Sequence, residues 1–160
     1  MRWNRVTKKR ILLIINIVVI LAMAITIVAQ CVNVFKIKKE QQLYFDSELN
    51  SVSHQIKEYK LTGHKFLLEN AVACIHSSSM IANLINESSK DDEWHTIHMR
   101  LYSIEGAYYS DRDGFILFID ELADVINRYD EHKSVGFLVD KLTSIDNRLT
   151  AMLYEKINRK

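Results

Sequence analysis

Residues 11–29, ILLIINIVVILAMAITIVA, run for nineteen positions without a charge, interrupted only by Asn16 and Thr26 among polar side chains. The uncharged stretch continues through Gln30 and Asn33 to Phe35. At about 1.5 Å per residue, roughly twenty residues cross a hydrocarbon layer of about 30 Å, so 11–35 is long enough to span a bilayer as a helix. Within lipid such a run has few options, because each backbone amide must be bonded inside its own segment. An uncleaved signal-anchor is expected rather than a removed leader. The apolar run is longer than the ~7–15 residues of a leader, and it continues past the small-x-small site Ala22-Met23-Ala24. Val28-Ala29-Gln30-Cys31 approaches a lipoprotein processing box, but Gln30 stands where a small residue is required.

Flanking charge sets the expected orientation. The basic leader 1–10 carries Arg2, Arg5, Lys8, Lys9 and Arg10 with no acid, while Lys36, Lys38 and Lys39 follow the run. Five against three favours a cytoplasmic N-terminus and a plasma-membrane protein with residues 36–160 outside. All eight are expected at the membrane interface, near lipid headgroups. Asn16 can hydrogen-bond across a pair of helices in lipid, and Ala22 with Thr26 makes one small-xxx-small step.

The remaining 125 residues read as one all-α domain. The chain has no proline and four glycines, where an average sequence of this length holds about eight prolines, so helix breakers are scarce. Apolar residues recur by threes and fours in four stripes: Phe45, Leu49, Val52, Ile56, Tyr59; then Trp94, Ile97, Leu101, Ile104, Tyr108. The others are Phe115, Ile119, Leu122, Ile126, Tyr129, and Leu138, Leu142, Ile145, Leu149, Met152. Each set lies on one helical face and must be buried against another helix, as in coiled-coil and bundle cores. Phe66–Ile85 carries a wider apolar arc and is expected to be the most buried, central helix. The spacing predicts helices over 37–61, 64–87, 92–109, 114–131 and 134–158, with Ser89 and Ser134 as N-caps. Short links make consecutive helices antiparallel, giving a transmembrane helix followed by an antiparallel bundle of four to five helices. Nothing between Val34 and Leu43 stops the first helix from running on out of the membrane.

Candidate chemistry is sparse. Two cysteines, Cys31 and Cys74, make neither a disulfide framework nor a thiolate zinc site, and Cys31 could cross-link two copies. His95 and His98 share a helical face and are the candidate metal ligands. They lack the His-Glu-x-x-His and Glu-x-x-His patterns of zinc and di-iron helices, so no metal or other cofactor is expected. Asp111-Arg112-Asp113-Gly114 resembles the middle of a calcium loop, but that register puts Tyr109 where the first carboxylate belongs and Asp120 last. Ser77-Ser78-Ser79 beside His76 and Cys74 lies within a helix and lacks the strained turn of a nucleophile, so no enzyme is expected. Asn86-Glu87-Ser88 is a glycosylation sequon, relevant only in a eukaryotic secretory route.

A net charge of +1 provides no field for nucleic acid. Charge is nevertheless sorted: residues 36–160 hold sixteen Lys and Arg against all twenty acids, and 111–131 holds seven of those acids. Tyr108, Tyr109, Asp120, Glu121 and Asp124 are therefore the candidate partner surface. The expected function is a membrane-anchored helical protein working through contacts with the bilayer and a protein partner or a second copy of itself, in a structural or accessory role. An alternative is an extracytoplasmic ligand-sensing bundle working with a partner signalling protein, similar in architecture to the membrane-tethered bundles of bacterial receptors. A helical metalloprotein, resting on His95 and His98, is the remaining alternative.

Overall fold

The computed structural model of the chain describes residues 5–159, with side chains from residue 12 onward. Arg2 lies outside the described residues, as do the side chains of Arg5, Lys8, Lys9 and Arg10. The described chain has six helices and no strand. They are α1 (Arg5–Thr62), α2 (Lys65–Ser89), α3 (Asp92–Ser110), α4 (Arg112–Ile116), α5 (Ile119–His132) and α6 (Val135–Asn158). The apolar run and the first bundle helix belong to one 58-residue helix. Neither proline nor glycine occurs before Gly63, so no residue in between interrupts the i→i−4 bonding.

Each long helix ends where a residue can leave the helical conformation. Gly63 has φ of 69°, and its N–H bonds the Tyr59 carbonyl at 2.7 Å. Lys90 and Lys133 take the same left-handed conformation at φ 53° and 51°, bonding Asn86 O and Tyr129 O. The left-handed position after a helix satisfies carbonyls the helix leaves open, here without glycine's steric relief. Asp91 caps α3 by accepting from the Glu93 N–H at 3.1 Å, and Ser134 caps α6 by accepting from Phe137 N–H at 3.3 Å. Ser89 is the last residue of α2, donating to Ile85 O, and so does not cap α3 as its position in the sequence suggests.

The predicted helix 114–131 is two pieces. Leu117 N–H bonds Gly114 O and Phe118 N–H bonds Phe115 O, both i→i+3, which tightens the turn and ends α4 before α5 restarts at Ile119. At Gly114 a Cβ would meet the terminal methyl of Met152 from α6 and lie 2.7 Å from an Asp111 carboxylate oxygen, so the Met152 side chain packs directly on the α4 backbone there.

Residues 1–39 and 40–160 form two compact units. In the second, cross-helix bonds give the topology. Ser53–Asn127 and Lys60–Asp120 run α1 against α5 antiparallel, as do Ser79–His98 and His76–Glu105 for α2 and α3. Arg100–Asp146 and Asp111–Lys156 advance together, so α3 and α6 are parallel neighbours. The helices thus ring one core in the order α1, α2, α3, α6, α5. All four stripes turn inward: Phe45, Leu49, Val52 and Ile56 meet Ile97, Leu101, Ile104, Leu122, Ile126, Leu138, Leu142 and Ile145, all buried. Phe45 packs edge-on to Trp94 at 5.0 Å and to Tyr129 at 6.2 Å, joining three helices through rings. Full burial of each such side chain contributes about 1.5–3 kcal/mol.

Helix α2 is not the central one. Leu68, Ala71, Val72, Ile75, Ala82 and Ile85 are buried, but Phe66, Met80 and Leu84 are exposed. Its apolar arc is wider than the face its neighbours cover, whereas α3 is flanked by α2 and α6 and meets α1 through Trp94.

Candidate functional site

In the first unit, side chains 12–35 of α1 are all exposed. One window of this helix is long and apolar enough to cross a membrane, by length and composition, and none of it is buried. A signal sequence near an N-terminus passes the same test. Contiguous apolar surface on this scale far exceeds the few hundred Å² that a soluble monomer exposes. Beyond the run come Lys36 and Lys39, exposed, and Lys38, half-buried. Among the described residues, then, three of the eight expected interface cations sit on one helix within a turn of the apolar end.

The tyrosine pair at the end of α3 divides as its spacing requires. Tyr108 is buried, edge-on to Phe115 at 5.4 Å, and Arg112 covers its ring, while Tyr109 is 72% exposed. The acids of α5 are on the surface but already engaged. Asp120 pairs with Lys60 of α1 at 2.8 Å, Glu121 with Arg148 of α6, and Asp124 lies 3.9 Å from Arg128. Exposed pairs of this kind contribute about 0–1 kcal/mol each, leaving the acids available to exchange partners.

His98 is held by α2. Its Nδ1 lies 2.9 Å from Ser79 Oγ and 3.0 Å from Ser79 O, and Ser79 Oγ also donates to His98 O. His95 is exposed, its ring centroid 6.5 Å from that of His98. Among the described residues no group of three or more His, Cys, Asp or Glu side chains converges. The calcium-loop residues are dispersed in the same way: Asp111 takes Lys156 at 2.8 Å and Asp120 takes Lys60, while Tyr109 points to solvent. Ser78 and Ser79 are buried, and being small they let α2 approach α3.

Two polar clusters are not apparent from the sequence. Asp146, 4% exposed, accepts from Arg100 Nη1 at 2.7 Å and from Ser103 Oγ at 2.5 Å, tying α6 to α3. The available signal was position: Asp146 lies between Ile145 and Leu149 on the inward side of α6. At the other end Tyr129 Oη donates to Asp46 at 3.0 Å, and Lys133 bridges Asp46 at 3.1 Å to Asp130 at 2.5 Å. Burial, then the Asp46 charge, raise the Tyr129 pKa far above its ordinary value. Hydrogen bonds from Lys133 and Asn50 lower that of Asp130. Burial, with Glu48 beside it, raises the Cys74 thiol. A raised thiol pKa favours the protonated, unreactive form.

No family model, curated protein or solved structure matches this chain.

Proposed function

We propose that this chain is a single-pass membrane protein whose apolar helix anchors a helical bundle outside the cytoplasm, where the bundle works through contacts with other proteins. The observation that carries this reading is the 12–35 segment: its apolar side chains are exposed throughout, while the bundle's own apolar stripes are satisfied internally. Such a bundle does not require that segment for its core, which leaves lipid as the environment that segment fits. The five-to-three excess of Lys and Arg before the run supports a cytoplasmic N-terminus. Anchoring confines the bundle to a thin layer and raises its effective concentration towards partners in the same membrane. Tyr109 and the exposed acids of α5 are the surfaces offered to such a partner.

The test uses single cysteines in the full chain, in a Cys31→Ser, Cys74→Ala background. Asp140→Cys, exposed on α6, should react with a membrane-impermeant maleimide on intact cells, and Thr7→Cys only after lysis. The reverse pattern would put the bundle in the cytoplasm.

A further inference from the structure

The polar residues of the uncharged run are Asn16, Thr26, Gln30 and Asn33. At about 100° per residue, and with Asn16 at zero, the other three lie near 280°, 320° and 260°, so all four occupy an arc of about 100°. They also fit a heptad: Asn16, Met23 and Gln30 repeat by seven, and Val19, Thr26 and Asn33 repeat by seven three positions later. Overlapping that arc, and reaching about 20° beyond it on either side, is a shallow concavity lined by Val19, Ala22, Met23, Thr26 and Ile27, where Ala22 and Thr26 are the small residues. Thr26 satisfies its donor within the helix by bonding Ala22 O at 2.9 Å. The amides of Asn16, Gln30 and Asn33 are exposed, and no described residue bonds them.

Depth makes this arrangement costly for a lone helix. The nearest charges are Arg10 and Lys36, with Met23 midway. Asn16 and Gln30 lie seven residues to either side of it, about 10 Å, inside a hydrocarbon half-thickness of about 15 Å. An amide there has no water and needs another donor and acceptor.

We propose that this face binds the same face of a second copy of the chain, forming a parallel homodimer within the bilayer. It rests on the membrane-spanning reading above. Copies inserted in the same direction are parallel, and two-fold symmetry then brings each heptad position opposite its own equivalent. An amide is both donor and acceptor, so Asn16 meets Asn16 and Gln30 meets Gln30 with complementary groups. The small residues between them let the backbones approach, as close packing in lipid requires. A different partner helix would need amides at the same fourteen-residue separation; a second copy has them by construction.

The full chain, in native membranes and in the Cys31→Ser, Cys74→Ala background, provides the test. Met23→Cys and Asn33→Cys lie on the proposed face, while Val28→Cys and Val32→Cys lie near 120° and 160°, on the opposite side. Oxidation should give a product of twice the chain mass from the first two and not from the last two. Adding Asn16→Leu and Gln30→Leu, which make the span more apolar and so preserve insertion, should raise the dimer dissociation constant about tenfold for each amide pair removed. Uniform or absent cross-linking in chains that stay in carbonate-washed membranes overturns the dimer while leaving the anchor intact. So does a dimer indifferent to both leucines, or a product of another mass. Loss of the chain from washed membranes overturns the anchor, and the dimer with it.

Discussion

Removing the Asp146 carboxylate tests whether the buried pair between α3 and α6 holds the bundle together. Asp146 is almost fully buried, and its two oxygens accept from Arg100 at 2.7 Å and Ser103 at 2.5 Å. Asp146→Ala leaves the Arg100 guanidinium, about a third exposed, without its counter-charge, and Ser103 without its acceptor. A hydrogen bond to a charged group is worth about 1.5–3 kcal/mol, and partial hydration of Arg100 offsets some of the loss, so the expected cost is about 2–3 kcal/mol. Arg100→Ala should cost more, about 3–5 kcal/mol, because the charge left behind is the buried one. The double change Arg100→Met with Asp146→Leu removes both charges at similar volume and should recover most of the loss. Urea unfolding of the full chain in detergent provides the assay, followed by Trp94 fluorescence in a Trp3→Phe background. Trp94 is buried against Phe45 and reports the bundle core. If the two single changes cost under about 0.5 kcal/mol, or if their effects simply add in the double variant, the pair is not coupled and the reasoning fails.

Gly106→Ala, exposed within α3 with nothing near its Cβ, should stabilise by about 0.5–1 kcal/mol, whereas Gly114→Ala should lose that gain because its methyl has to displace the Met152 methyl and the Asp111 carboxylate; both read in the same melt. Tyr129 binds its proton more tightly folded than unfolded, so stability should be complete below the ordinary tyrosine pKa of about 10 and fall as pH rises from there towards the higher folded value. Tyr129→Phe should flatten that alkaline decline in urea midpoints measured from pH 8 to 11. Reversing Asp120, Glu121 and Asp124 to Lys should abolish recovery of a protein partner from solubilised membranes. The bundle should still melt cooperatively, since each lost surface pair is worth about 0–1 kcal/mol; unchanged recovery would remove the acidic face from the interaction surface.

What the chain's sequence determined by itself is whatever depends on local periodicity. Phe45, Leu49, Val52 and Ile56 are inward because residues three and four apart share a helical face, and the same holds for Trp94 through Ile104 and Leu138 through Leu149. The uncharged run reads as a candidate membrane helix from length and composition alone, and two link positions follow from Gly63 and Ser134, while the cap of α3 is Asp91 rather than the expected Ser89. Periodicity shows which face is apolar, but not how much of it a neighbour will cover. That is why the broad arc of α2 looked central and yet leaves Met80 and Leu84 exposed. Nor does it give pairings between distant positions. Ser79 with His98, Tyr129 with Asp46 and Asp146 with Arg100 join residues 19 to 83 apart, and only the order of helices around the core brings them within bonding distance. The split of the predicted 114–131 helix is of the same kind. Its i→i+3 bonds at Leu117 and Phe118 sit near the close approach of Gly114 to Met152, thirty-eight residues away, a neighbour that the local sequence does not show.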